Sequence, residues 1–237
     1  MNRIFLEAEW RKLAMANYSV PPSLLQKYLP YKTELDLWND TCYVSLVGFL
    51  FDNTRLKGFR IPFHTRFEEV NLRFYVRYKE GDTWKRGVVF LSEIVPKPAL
   101  AFVANTIYNE RYTTCYMQHS WLADETSLTA EYKWKKSNWN SFKITAGNTA
   151  FPLEEGSETA FITEHYWGYT KRGINKSSEY GVEHPKWGIY KTMNHSIDVN
   201  FSDVYGPQFG FLSDETPKSV FLAEGSEVII REGTLIR

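Results

Sequence analysis

The chain has 237 residues, of which 43% are hydrophobic and 16% aromatic, so it can bury a sizeable core in one or two domains. Its 28 Lys and Arg residues balance 28 Asp and Glu residues, which argues against a nucleic-acid partner, because such a surface needs a clustered basic excess. The N-terminus has no apolar signal core, and no apolar run approaches the ~20 residues that span a bilayer. The chain has only two cysteines. These features predict a reduced cytoplasmic protein without a membrane partner.

The first half of the chain predicts strands around two short helices. Val20-Pro21-Pro22-Ser23 opens the first helix, which ends at Pro30, and Pro96-Lys97-Pro98 opens the second. Glu80-Gly81-Asp82 marks a hairpin turn between two strands. The predicted strands of this half are residues 13–18, 41–51, 69–76 and 87–94.

The second half continues with strands and one more helix. Ser157 is a good N-cap for a helix with apolar residues as far as Tyr169, although the latter part of this segment also fits a strand. Glu224-Gly225-Ser226 predicts a hairpin between the last two strands. The predicted strands are residues 127–135, 139–145, 179–184, 195–201, 219–223 and 227–231. Many strands with few helices, in no βαβ rhythm, indicate an α+β fold with a largely antiparallel sheet.

One predicted strand carries a row of polar residues on a single face. Polar and apolar residues alternate strictly there, so Glu69, Asn71 and Arg73 share one face and stand roughly 7 Å apart. Glu93 lies on the neighbouring hairpin strand. On a solvated face these charges form an ion pair of little value. Inside a cavity the same row is a ligand site with a carboxyl group of raised pKa, ready for proton transfer.

Other chemistries have no signature in the sequence. The five histidines are scattered without metal-ligand spacing, so we expect no metal site. Neither cysteine lies in a catalytic signature, and no Gly-x-Ser-x-Gly elbow is present. A glycine-rich phosphate loop is absent as well. We therefore expect no cofactor.

Several short segments together carry a family resemblance. The landmarks are Tyr18-Ser19-Val20-Pro21-Pro22, Val44-Ser45-Leu46-Val47-Gly48-Phe49, Glu69-Val70-Asn71-Leu72-Arg73-Phe74, Gly87-Val88-Val89-Phe90 and Ala223-Glu224-Gly225-Ser226. With them, nearly the whole chain resembles the YqjF-like family of uncharacterised bacterial proteins in the acetoacetate decarboxylase-like superfamily. The resemblance implies one domain over residues 1–237, with an α+β fold. This fold is a largely antiparallel closed β-structure, a cone or barrel, with a few helices packed outside and a central cavity.

The resemblance also implies positions for site residues. Glu69 matches the cavity-facing glutamate of acetoacetate decarboxylases, and Arg11, seven residues before Tyr18, loosely matches their N-terminal arginine. Their Schiff-base lysine falls at Tyr112 or Thr113 of this chain. Neither side chain can form an imine, because a carbinolamine requires an amine nucleophile. The resemblance therefore implies the scaffold without acetoacetate decarboxylation.

These observations predict a cavity protein for a small carbonyl-like or carboxylate-bearing molecule, with non-covalent acid–base chemistry as the leading reaction class. We expect the polar row to face the cavity while its apolar side packs against a helix. The expected catalytic residues are Glu69 and Arg73, and the expected binding residues are Arg11, Asn71, Glu93, Tyr108 and Tyr112. The alternatives are a non-catalytic binding or sensor module and a protein-interaction module using exposed aromatic strands. Assembly into a homo-oligomer is left open.

Overall fold

The computed structural model describes residues 2–108 and 110–237, without the side chains of residues 107 and 108. Strands dominate this part of the chain, and the helices are short. The strands are β1 Ile4–Ser19, β2 Thr33–Leu35, β3 Tyr43–Leu56, β4 Phe67–Glu80, β5 Thr83–Val95, β6 Tyr112–Thr114, β7 Tyr116–Ala123, β8 Ser127–Lys135, β9 Trp139–Phe151, β10 Trp167–Gly173, β11 Lys176–Glu183, β12 Ile189–Asp198, β13 Ser219–Arg231 and β14 Thr234–Ile236. The helices are α1 Pro22–Leu25, α2 Pro98–Tyr108, α3 Glu158–Thr163 and α4 Phe201–Tyr205, with 3-10 helices at Gln26–Tyr28 and Pro207–Ser213.

Seven strands form a closed ring of pairings. The order is β1, β3, β4, β5, β10, β11 and β13, and β13 pairs again with β1. The pairs are antiparallel except that β10 runs parallel to β5. The short β6 also runs parallel to β5. The expected α+β fold with a largely antiparallel closed sheet is confirmed.

Alternation along the ring strands produces two separate cores. On β1, Leu13 and Met15 belong to the inner cluster, while Ala14 and Ala16 belong to the outer one. Both faces are buried because the ring encloses the inner face and further elements cover the outer face. Such two-sided burial explains why β3 reads as a nearly continuous apolar run.

Strands β12, β9, β8 and β7 cover the outer face of the ring. A side chain on Gly48 of β3 would collide with the ring of Tyr132 on β8, so the two layers are in direct contact. The apolar residues of β4 pack in this outer cluster with Tyr132 and Phe142, and also with Phe201 of α4. The sequence predicted a helix against this face, and the structure adds a layer of strands.

The predicted hairpin at Gly225 is wrong, because β13 continues through it as one strand. Gly225 has a φ of +82°, and β1 is irregular at the facing residues, where Lys12 has a φ of +54°. A Cβ on Gly225 would lie well inside contact distance of the carbonyl oxygen of Trp10. The glycine therefore serves the close approach of two bulged strands rather than a turn.

The segment after Ser157 changes from helix to strand earlier than its apolar period suggests. Ser157 caps α3 as predicted, with its side chain accepting a hydrogen bond from the Ala160 amide. The helix ends at Thr163, and β10 begins at Trp167. Its residues Phe161 and Ile162 join the inner cluster, so this helix packs at the interior of the ring. The short helix α4 was not predicted.

Among the described residues, no helix combines the length and apolar character that crossing a membrane requires. The expectation of a single domain over residues 1–237 stays a prediction.

We predict that Gly225→Ala will destabilise the protein far more than Gly81→Ala. Both glycines have positive φ, but only Gly225 also faces a backbone atom that a Cβ would strike. Gly81→Ala should cost about 1 kcal/mol, the strain of a left-handed alanine, and Gly225→Ala at least about 3 kcal/mol. Urea unfolding of both variants measures the difference. Equal losses would contradict the close approach of β1 and β13.

Candidate functional site

The polar row of β4 faces the interior of the ring, next to polar residues of two further strands. Asn71 pairs directly with Glu93 of β5, and Glu93 pairs with Tyr112 of β6. Facing residues of paired strands have their Cβ atoms about 5 Å apart. Register alone therefore brings the side chains of Asn71, Glu93 and Tyr112 together, with Glu69 diagonally beside them.

Glu69 is 3% exposed and has two hydrogen-bond donors. Asn71 Nδ2 donates to its Oε1 at 2.9 Å, and the Tyr112 hydroxyl donates to its Oε2 at 3.3 Å. The predicted inward orientation of Glu69 and Asn71 agrees with these contacts. The carboxyl group is held in one orientation by both bonds.

Tyr112 is fixed at its backbone by a side chain of α2. Asn105 donates to the Tyr112 carbonyl at 2.8 Å and accepts from the Tyr112 amide at 2.7 Å. These are the two bonds that a neighbouring strand would supply. The phenol of Tyr112, one of the two residues expected at the position of the superfamily lysine, is thus held against Glu69.

Arg73 is 7% exposed and lies apart from the carboxylates. Among the described residues, none places a carboxylate oxygen within 4.0 Å of its guanidinium, and its buried Nε has no hydrogen-bond partner. Its guanidinium carbon lies 5.9 Å from the centre of the Tyr75 ring. The sequence suggested Arg73 as the direct counter-charge of Glu69. Its positive charge does lower the pKa of Glu69, but without an ion pair.

Two further ionisable residues, which the sequence did not predict, lie near the carboxyl groups of Glu69 and Glu93. Glu110 lies just before β6, and Thr170 Oγ1 donates to its carboxylate at 2.7 Å. Tyr180 of β11 lines the cavity, and the charges of Glu110, Glu93 and Glu69 act on its hydroxyl. Tyr180 comes from a strand that closes the ring, and Glu110 is held by a bond to Thr170 of another, so only the tertiary fold brings them in.

Two histidines also line the site. His165 follows α3 and is buried, and its Nε2 lies 3.1 Å from Asp36 Oδ2. His184 stacks on Trp187, with ring centroids 4.2 Å apart. The sequence placed His165 on a helix because its apolar spacing fitted one. His165 lies in the segment between α3 and β10, so neither the helix nor the strand alternative for this segment placed it in the cavity.

These side chains enclose a cavity of about 60 Å³. Its polar lining consists of Glu69, Asn71, Arg73, Glu93, Tyr112, Thr163, His165, Tyr180 and His184, and its apolar lining includes Trp10, Phe49, Phe51, Phe90, Trp167 and Trp187. A water needs roughly 10–15 Å³ by such a measure, so the space admits a few waters or a small organic molecule.

Unpartnered polar atoms concentrate around this cavity. Ten buried side-chain nitrogen and oxygen atoms lack a partner among the described residues, and five of them belong to lining residues. Buried polar side chains elsewhere form hydrogen bonds with one another. For example, Ser45 Oγ lies 2.6 Å from both Asn17 Oδ1 and the Tyr75 hydroxyl. Because unpaired buried polar groups are costly and rare, their clustering indicates a binding site.

Two predicted binding residues lie elsewhere or cannot be placed. Arg11 does not line the cavity; its guanidinium bonds to Glu9 Oε2 at 2.5 Å and comes within 4.0 Å of Glu224. This side chain lies at the bulge of β1 and is about one third exposed. The side chain of Tyr108 lies outside the described part of the chain.

Burial raises the pKa of three carboxyl groups at the cavity. It raises the pKa of Glu69 to about 7, against the lowering effect of its bonds to Asn71 and Tyr112 and of Arg73. Burial, followed by the charges of Glu110 and Glu69, raises the pKa of Glu93 well above its usual range. The pKa of Glu110 is raised by burial as well. Near pH 7, Glu69 therefore exists in both forms, and its protonated form can donate a hydrogen bond.

Burial acts on His165 in the opposite direction. It lowers the pKa of this imidazole to about 4, although the bond to Asp36 favours the charged form. The ring is neutral near pH 7. Among the described residues, no three His, Cys, Asp or Glu side chains are grouped as a metal ion would require. The arrangement suits acid–base chemistry on an anionic molecule.

Comparison with known proteins agrees with this geometry. Residues 7–227 match DUF2071, a family described as an uncharacterized conserved protein. The uncharacterized protein YqjF of Bacillus subtilis (strain 168) is 27% identical over 203 residues, which are 83% of this chain and 80% of that protein. The expected family resemblance is confirmed.

Solved structures share the fold at low identity. Acetoacetate decarboxylase from Legionella pneumophila superposes with a TM-score of 0.67 at 14% identity, over 99% of this chain and 88% of that chain. The enduracididine biosynthesis enzyme MppR complexed with pyruvate gives a TM-score of 0.66 at 10% identity, over 100% and 92% of the two chains. The fold is thus acetoacetate decarboxylase-like.

We predict that Glu69→Gln will change how stability depends on pH. Between pH 4.5 and about 7 the unfolded chain has released the Glu69 proton while the folded chain retains it. The folded state then binds more protons, so this group's contribution to stability falls as pH rises through that window. Relative to wild type, the variant should gain up to about 3 kcal/mol across it.

Urea unfolding at several pH values between 4.5 and 7.5 measures this difference. The opposite titration of His165 is common to both proteins and cancels. Glu68→Gln is the matched control, because the bond from His119 lowers the pKa of Glu68 and leaves it ionised throughout the window. A stability difference that does not change with pH for Glu69→Gln would show that Glu69 is ionised in the folded protein.

Proposed function

The chain belongs to the DUF2071 family of uncharacterized conserved proteins, and we propose that its cavity binds a small carboxylate-bearing carbonyl compound and exchanges protons with it. Glu69 is the acid–base group of this proposal, and Arg73 holds the ligand's carboxylate. No covalent imine is formed. The proposal concerns the ligand class and the reaction type, with Asn71, Glu93 and Tyr112 as further binding groups.

The buried guanidinium of Arg73 carries this proposal. Arginine stays charged at any physiological pH, and a buried charge without a partner is strongly unfavourable. The nearby carboxyl groups of Glu69 and Glu93 have raised pKa values and do not neutralise it by direct contact. An anionic ligand would supply the missing counter-charge. A carboxylate suits the planar guanidinium because two parallel hydrogen bonds can form.

The other end of the ligand should present a hydrogen-bond acceptor. A protonated Glu69 and a protonated Glu93 are both donors, and a carbonyl oxygen is the acceptor that such a group polarises best. MppR, which shares the fold, is described in complex with pyruvate, a molecule with both a carboxylate and a carbonyl. A small 2-oxo acid or 3-oxo acid therefore fits both ends of the site.

Proton transfer is the reaction that these residues can perform. Glu69, with a pKa near 7, can both donate and accept a proton at neutral pH, which is the property of an efficient general acid or base. None of the described residues that line the cavity is a lysine. The same binding without turnover would describe a sensor, and the two functions differ in whether bound ligand exchanges protons with water.

We predict that Arg73→Met will weaken the binding of pyruvate by about 10- to 100-fold, the usual value of a hydrogen bond to a charged group. Isothermal titration calorimetry measures the affinity. Arg77→Met is the matched control: Arg77 lies four residues along the same strand, is exposed, and bonds to Glu34 at 2.6 Å. Equal pyruvate affinity in wild type and Arg73→Met would show that Arg73 does not bind the ligand.

We predict that acetoacetate leaves no covalent adduct after borohydride reduction. An imine needs an amine at the reacting carbon, and Tyr112 and Thr113 stand where the superfamily lysine is expected. Intact-protein mass spectrometry detects the adduct, and an acetoacetate decarboxylase treated in parallel is the positive control. A reduced adduct on any lysine of this chain would contradict non-covalent chemistry.

A further inference from the structure

A second acid–base group lies in the wall of the same cavity. Asp36 is buried and accepts two hydrogen bonds on its Oδ2, one from Arg86 Nε at 2.6 Å and one from His165 Nε2 at 3.1 Å. These two bonds keep the pKa of Asp36 below its usual value despite burial, so the carboxylate is ionised and can only accept. The proton of the neutral imidazole must then lie on Nε2.

The other ring nitrogen of His165 is free to accept a proton. Its Nδ1 is buried, has no hydrogen-bond partner among the described residues, and belongs to a residue that lines the cavity. The ring is held between Tyr75 and Phe161, with centroids 4.7 and 5.0 Å away. A purely structural histidine would have both nitrogens satisfied. This one has a fixed, unpaired lone pair in the wall of the cavity.

We infer that His165, oriented by Asp36, is the proton acceptor of the cavity, so that the reaction is the enolisation of a 2-oxo acid. This inference rests on the proposed function and deepens it, since it assigns the acid and the base to different residues. Glu69 is then the proton donor, and Arg73 holds the carboxylate. Asp36 is a positioning residue that acts through His165.

The step balances without any further reactant. The C–H bond next to the carbonyl breaks, and its proton moves to His165 Nδ1. The electron pair of that bond forms a carbon–carbon double bond, and the carbonyl π electrons move to oxygen. That oxygen takes the proton of Glu69, which leaves an enol, an imidazolium and a carboxylate. Reversal with a deuteron from solvent exchanges the substrate hydrogen.

Ligand binding increases the basicity of His165. Burial is the main cause that lowers its pKa, and the positive charges of Arg86 and Arg73 lower it further. A ligand carboxylate on Arg73 offsets one of these charges. The negative charge of Asp36 stabilises the imidazolium that forms, as in other carboxylate–histidine pairs.

The test is deuterium exchange into the methyl group of pyruvate in D₂O, followed by proton NMR, together with pyruvate affinity by calorimetry. We expect wild type to accelerate the exchange. His165→Gln should lose at least about 100-fold in exchange rate, the usual contribution of a general base, with the dissociation constant changed by less than about threefold. His119→Gln is the matched control, because His119 bonds to Glu68 at 2.6 Å and does not line the cavity.

Asp36→Asn separates orientation from charge. An amide oxygen can still accept from Arg86 and His165, but the negative charge behind the imidazolium is lost. We expect at least about a tenfold loss of exchange with unchanged affinity. If His165→Gln does not unfold cooperatively, it is not properly folded. The exchange rate of Asp36→Asn then tests the role of His165. In labelled wild type, the nitrogen-15 resonance of His165 Nδ1 should be that of an unprotonated nitrogen and should shift when pyruvate binds.

The outcomes separate the two proposals. Full exchange activity in both variants, or a protonated Nδ1 in the free protein, overturns the role of His165. Pyruvate that binds wild type without any exchange overturns enolisation and leaves the binding function in place. Wild type that neither binds nor exchanges pyruvate overturns both. Equal losses of affinity and exchange would reduce His165 to a structural residue.

Discussion

The guanidinium of Arg73 stays charged, and the closed ring of strands holds it 7% exposed beside a small cavity, without an ion-pair partner among the described residues. The same enclosure raises the pKa of the Glu69 and Glu93 carboxyl groups, which weakens their ability to compensate that charge. The cavity consequently combines a fixed cation with carboxyl groups that hold their protons more strongly than exposed ones do. The complementarity that we propose, to a small anion with a carbonyl oxygen, follows from this imbalance rather than from the shape of the cavity.

Burial on both faces of the ring strands stabilises the fold that encloses these polar groups. Every ring strand except β11 contributes residues to the outer cluster, where they pack with residues of β8 and β9, and this burial stabilises the fold. The inner face carries the polar groups of the cavity among apolar residues such as Val47, which pairs with Asn71, and Phe161, whose ring lies 5.0 Å from that of His165. Polar chains that serve packing, such as Asn17, Ser45 and Tyr75, are fully paired. Five of the ten buried atoms without a hydrogen-bond partner among the described residues belong to residues that line the cavity.

The sequence predicted those parts of the site that depend on local pattern, namely strand alternation and hairpin pairing. Glu69, Asn71 and Arg73 share a face because side chains alternate along any strand, and Glu93 follows from the hairpin that pairs β4 with β5. It did not predict Glu110, His165 or Tyr180 at the site, since these residues come from other parts of the chain and meet the row only in the tertiary fold. Nor could it distinguish a continuous strand from a turn at Gly225, because a glycine with positive φ is compatible with both.

The clamp between Asn105 and Tyr112 gives helix α2 a mechanical link to the buried carboxyl groups. Its two bonds hold the backbone of Tyr112 to the helix, so a displacement of α2 carries the phenol with it. Loss of the phenol's bond to Glu69 would remove one of the influences that lower the pKa of this carboxyl group. Phe102, on the same helix, is 71% exposed. Helix α2 and the proton affinity of Glu69 are therefore connected through three hydrogen bonds.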